Sequence, residues 1–182
     1  DSVDDLNQIK KDFLNELSRI CPDIDINLVW KMKKDRKNII LQSLASMLED
    51  RNLSKITTAL LAEKSGITEA ALYRHFPSKR SIYAELFSFC DDAIFAKCNE
   101  LKKNKMSAKD KTKNAFVFFM MFVEKNKGFA RLLSREALST NEQNVSDNVN
   151  QFYERFELIL RQILKEDAEN LTTQPGISAQ LI

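Results

Sequence analysis

Thr57, Thr58, Thr68, Glu69, Ala70, Tyr73, Arg74, His75 and Lys79 fall within one short stretch, "TTALLAEKSGITEAALYRHFPSK". Hydroxyls, a carboxylate, a guanidinium, an imidazole and an ammonium are the groups that meet phosphate oxygens and base edges. The threonines stand where helices are predicted to begin, so their hydroxyls suit caps and, beyond capping, phosphate contacts. Glu69 and Ala70 come at the exposed start of the second helix, where a carboxylate accepts from a cytosine amino group and a methyl packs on thymine. Tyr73, Arg74, His75 and Lys79 are placed for the nucleic-acid backbone, which positions a protein without reading sequence. His75 is the sole histidine. It stands beside bases with no second ligand nearby, so phosphate contact is expected there rather than metal binding or catalysis.

Other chemistry finds little support. The chain has no Ser/His/Asp or Cys/His pairing, no glycine-rich phosphate loop and no HExxH, so neither an enzyme nor a metal or cofactor site is expected. Cys21, Cys90 and Cys98 form no CxxC pair. Cys90 and Cys98, eight apart on one helix face, read as small core residues. The net charge is +2 overall, but residues 31–80 hold eleven Lys/Arg against five Asp/Glu, while residues 1–30 are net negative. Lys33, Lys34, Arg36 and Lys37 form a basic arm suited to phosphates or the minor groove. The longest apolar run, "AFVFFMMFV" (Ala115 to Val123), is too short to cross a bilayer, which takes about 20 residues. With no signal peptide, a soluble, cytoplasmic protein without membrane contact is expected.

The elements that must position these residues are helical throughout. Three glycines and three prolines in 182 residues leave few turn signals, so the fold class is all-α. Ile40, Leu41, Leu44, Met47 and Leu48 make an apolar face over Lys37 to Asp50. A short helix capped by Thr57 or Thr58 runs to Lys64, and Gly66 supplies a positive-φ stop. Thr68 caps a second short helix through His75, which Pro77 ends by forcing Phe76 out of helical geometry. Ser78 starts the next helix. Two short helices around a glycine turn, crossing at Ala62 and sealed by Ile67 and Leu72, spell a helix-turn-helix over residues 57–76. Further on, a helix is predicted over Ala108 to Lys125, stopping at "NKG" (126–128). Others follow from Phe129 to about Ser139 and from near Asn148 to Glu166.

"ITTALLAEKSGITEAALYRHFPSK" resembles the DNA-binding domain of TetR-type regulators. "ILQSLASMLED", "EKNKGFARLLSREAL" and "NQFYERFELILRQIL" add a similarity to the nucleoid-occlusion factors, the SlmA branch of that family. The resemblance implies an N-terminal three-helix DNA-binding domain over residues 32–80 and a helical regulatory and dimerisation domain over 81–182. Residues 1–31 have no counterpart and are expected to be an extension. A last dimerising helix is expected to be missing, which would weaken binding to palindromes. The resemblance further implies a homodimer on a palindromic double-stranded site, associated with the nucleoid. Bound to DNA, it would engage and disrupt polymers of the division protein FtsZ, so that no septum closes over the chromosome.

Two rivals remain open at this point. One is a ligand-responsive repressor, which needs a roomy apolar cavity between its core helices. The crowding of Phe116, Phe118, Phe119, Met120, Met121 and Phe122 argues against it. The other is a helical interaction module without DNA binding. For the FtsZ partner, the expected docking surface is a groove bordered by Phe89 and Lys97 on one helix and Phe118, Met121, Lys125 and Asn126 on another, if those helices pack side by side.

Overall fold

The computed structural model describes residues 35–50, 56–136, 138 and 143–165. The leader over residues 1–31, Lys33, Lys34 and residues 166–182 lie outside the described residues. Those described contain seven helices and no strand: α1 (Arg36–Glu49), α2 (Thr58–Lys64), α3 (Glu69–His75), α4 (Lys79–Lys103), α5 (Ala108–Lys125), α6 (Lys127–Leu133) and α7 (Gln143–Lys165).

Side-chain caps set most of the helix starts. Asp35 accepts from the Asn38 amide at 2.8 Å, Thr57 from Leu60, Thr68 from Ala71 and Ser107 from Asp110. Ser78 and Ser81 cap α4 reciprocally, each hydroxyl accepting from the other residue's amide. Each such cap satisfies a helix-start N–H that has no partner within the helix, typically worth about 1 kcal/mol.

The turn between α2 and α3 follows from one glycine. Gly66 has φ +65°, the amide of Gly66 donates to Glu63 O, and that of Ile67 donates to Ala62 O, both at 3.0 Å. These paired bonds close the carbonyl end of α2 in a left-handed stop that a Cβ would strain. Phe76 then leaves helical geometry at φ −137°, as the following Pro77 requires.

Several boundaries differ from the sequence expectation: α6, expected to run to about Ser139, ends at Leu133 with Ser134 as its cap. α1 begins at Arg36, because Asp35 is its cap. α7 begins at Gln143, earlier than its apolar stripe suggested. Gly128 does not stop a helix; it lies inside α6, and the break from α5 is the single residue Asn126. The reason is packing: a Cβ on Gly128 would stand 2.7 Å from the Ala45 carbonyl oxygen and 3.2 Å from the Leu48 Cβ. α6 therefore sits hard against α1. Arg131 of α6 fastens the seam by donating from Nη1 to the Leu48 carbonyl at 2.7 Å.

α4, α5, α6 and α7 close around Phe152, which is fully buried. Its ring meets Phe95 and Phe87 of α4 at 5.5 and 6.3 Å, Phe119 of α5 at 5.6 Å and Phe129 of α6 at 6.1 Å. Phe156, one turn on, lies nearly parallel at 6.0 Å. One continuous cluster of buried residues runs from Ile40 in α1 through Leu61 and Leu72 to Leu164 in α7. At its edge Arg155 of α7 bonds Asp91 of α4 at 2.8 Å and lies over the Phe95 ring at 3.9 Å. Burial pushes the Asp91 carboxyl up from its ordinary range, and the guanidinium pulls it partly back. Cys90 and Cys98 are buried in α4, and desolvation raises both thiols, Cys98 to about 12. Lys111 is buried too, with its ammonium donating to the Lys102 carbonyl at 3.1 Å near the end of α4. Among the described residues, no helix is long and apolar enough to cross a membrane.

Candidate nucleic-acid interface

α2 and α3 are short and carry little apolar burial of their own. α2 buries Leu61 and Ala62, and α3 buries only Leu72. Because so few side chains are drawn inward, most of those on α3 stay in solvent: Glu69, Ala70, Tyr73, Arg74 and His75 are all exposed, Tyr73 by 47%. A large aromatic left that open beside several donors is a surface suited in chemistry to a groove of DNA.

Thr57 and Thr68 are exposed caps. As caps their oxygens accept from backbone amides, so each hydroxyl proton is left to donate to a phosphate. Thr58 behaves differently. Its hydroxyl donates to Glu69 Oε1, and the Tyr73 hydroxyl donates to Thr58 at 3.4 Å. The Thr58 proton is thus directed to a side chain of α3 in the protein without DNA.

The remaining bases lie on neighbouring elements. Lys37 reaches Glu85 of α4 at 3.5 Å and lies 5.1 Å from the Phe76 ring centre, so its charge is partly matched in the absence of DNA. Lys79, half-buried at the start of α4, lies over Tyr83 at 5.2 Å. The flat contact with the ring sets the direction of each long side chain. Arg36 is exposed at the start of α1; its fellows in the basic arm, Lys33 and Lys34, fall outside the described residues. Arg80, exposed beside Lys79, was not singled out from the sequence; its place in the same basic cluster was the available signal.

The expected docking groove needs correction. Phe118, Met121 and Asn126 are buried, by packing in the first two cases. Asn126 spans the α5–α6 junction and donates from Nδ2 to the Phe122 carbonyl at 2.7 Å. The stripe Lys111, Ala115, Phe118 and Phe122 is the core face of α5. Half-buried Phe116, Met120 and Val123 occupy other faces of that helix. Phe89 is half-buried on α4, Lys97 pairs with Glu100 at 2.8 Å, and Lys125 is exposed.

Comparison with known proteins agrees with this geometry. Residues 40–86 match the profile described as bacterial regulatory proteins, tetR family, and residues 109–177 match the SlmA-like profile described as tetracyclin repressor-like, C-terminal domain. The chain is 39% identical over 135 residues to nucleoid occlusion factor SlmA of Vibrio vulnificus, an alignment spanning 74% of this chain and 69% of that protein. It is 38% identical over 152 residues to nucleoid occlusion factor SlmA of Salmonella dublin, spanning 81% and 77%. Among solved structures, the TetR family transcriptional regulator PfmR from Thermus thermophilus superposes with a TM-score of 0.64 at 20% identity. That match covers 82% of this chain and 81% of that one, and at such identity it speaks to the fold alone.

Proposed function

The chain belongs to the SlmA branch of the TetR family of helix-turn-helix DNA-binding proteins, and from that premise we propose that it is a nucleoid-occlusion factor that restrains the division protein FtsZ when bound to DNA. The family is one of regulators rather than enzymes. The observation that carries the DNA reading is the face of α3, where Glu69, Ala70, Tyr73, Arg74 and His75 stand in solvent while Leu72 alone anchors the helix. In this reading two copies of the chain lie on a palindromic site, each placing α3 in the major groove, with Thr57, Thr68, Lys37 and Lys79 on phosphates.

Packing in the core favours this reading over a ligand-gated repressor. Rings whose centres stand 5.0 to 6.3 Å apart crowd around Phe152 among α4 to α7, and the cleft of about 170 Å³ between α4 and α7 is open and lined largely by polar side chains, Ser88, Asp91, Asn148, Gln151 and Arg155.

FtsZ would dock on the outer sides of α4 and α5. Half-buried Phe89, Ala93, Phe116 and Val123 supply partly covered apolar surface there, and Lys97 and Lys125 supply charge. Such a surface suits an acidic segment with apolar anchors. The test is charge reversal at both lysines, Lys97→Glu with Lys125→Glu. The variant should hold DNA at near wild-type affinity in fluorescence anisotropy yet lose FtsZ binding. Retained FtsZ binding would remove these helices as the docking surface, and loss of both activities together would indicate a folding defect.

A further inference from the structure

Glu69 presents a carboxylate on the face that must approach polyanionic DNA. Left mobile, it would repel phosphates and recognise a base less well, because it must be ordered on binding. The structure does not leave it mobile: Thr58, one helix away, donates its hydroxyl proton to Glu69 Oε1, and Tyr73, one turn further along α3, donates to Thr58. These three side chains form a chain of hydrogen bonds from α3 to α2 and back. Oε1 is occupied by that bond, whereas Oε2 keeps its lone pairs for an incoming donor.

We infer that Glu69, held in place by Thr58 and Tyr73, is a specificity-determining residue that accepts a hydrogen bond from a base amino group in the major groove, with cytosine N4 the fitting donor. This deepens the DNA-binding reading and rests on it. The fixed carboxylate acts in two ways. It rewards the one base pair that offers an amino group at that point, and it penalises non-specific placements, in which a charge is brought near phosphates with no compensating bond. Thr58 and Tyr73 are positioning residues: they set where the carboxylate points.

The experiment is parallel selection of sites from a duplex library with a randomised core, by the wild-type chain, Glu69→Gln and Thr58→Val. Affinity for sheared genomic DNA is measured alongside, and circular dichroism checks that each variant is folded. Wild type should select a C·G pair at one symmetry-related position in each half-site. Glu69→Gln should lose that preference by roughly tenfold, while its affinity for bulk DNA rises. Thr58→Val retains the charge but frees it, so the preference should weaken at the same position without a rise in bulk affinity. Unchanged preference at every position in Glu69→Gln overturns the assignment of Glu69. A wild-type profile for Thr58→Val beside an altered one for Glu69→Gln overturns the positioning chain. If wild type selects no site at all, the DNA-binding reading itself fails, and this inference falls with it.

Discussion

The segment from Thr57 to Lys79 and the bundle formed by α4 to α7 solve opposite problems. In the first, shape comes from short-range backbone chemistry: two threonine caps, a left-handed glycine and a proline, with only Leu61, Ala62 and Leu72 buried from its two helices. In the second, shape comes from long-range packing of rings contributed by four different helices. Local fixing lets the first region keep its polar side chains in solvent, where some of them, Thr58, Glu69 and Tyr73, hold one another in place. Its support is borrowed, because Leu61 and Leu72 join the same buried cluster as Phe152.

That dependence gives the largest expected effect. Phe152→Ala should destabilise the fold by about 3–5 kcal/mol, combining lost burial with the cavity left behind. Although the substitution lies far from α3, DNA binding should disappear in step with the folded fraction in a thermal melt. A variant whose core signals melt early while DNA binding survives would show the two regions to be independent.

Next in size is the seam. Gly128→Ala improves helix propensity, yet its Cβ would meet backbone at Ala45 O, which no rotamer change can relieve. We expect a net loss of about 1–3 kcal/mol, read as a fall in the denaturation midpoint. A stabilised variant would mean that α1 and α6 meet loosely.

Smaller, and dependent on pH, is the Asp91–Arg155 pair. The folded-state pKa of Asp91 is raised by burial, so its ionised form opposes folding and does so increasingly as pH rises through that pKa. Arg155 offsets this. Removing it with Arg155→Ala should therefore destabilise by about 1–2 kcal/mol at neutral pH, less than a fully buried pair would lose because Arg155 is half exposed. The loss should shrink in acid, once Asp91 takes up a proton. A pH-independent loss would assign the effect to lost stacking on Phe95.

How much could be read in advance divides along the same line. Thr57, Gly66, Thr68, Pro77 and Ser78 each act on neighbours within a few residues, so the helix-turn-helix and its exposed face were legible in the sequence. Gly128 and Asn126 were misjudged because their reasons lie elsewhere: one in the approach to α1, the other in the α5–α6 junction. Phe118 and Met121 share a helical stripe with Lys125, and periodicity alone could not tell which side of that stripe faced the core. The bond from Thr58 to Glu69 crosses between helices, and no local rule predicts it. Which sides of α4 and α5 stay uncovered was legible only in part, since that depends on what packs against them from elsewhere in the chain.

DNA-activated inhibition of FtsZ is tested most directly by sedimentation of purified FtsZ polymers with the chain added, with and without a palindromic duplex selected by it. A DNA-activated inhibitor predicts a marked fall in pelleted FtsZ only when chain and duplex are both present. An equal pellet with and without the duplex, under conditions where anisotropy shows the duplex bound, would contradict it.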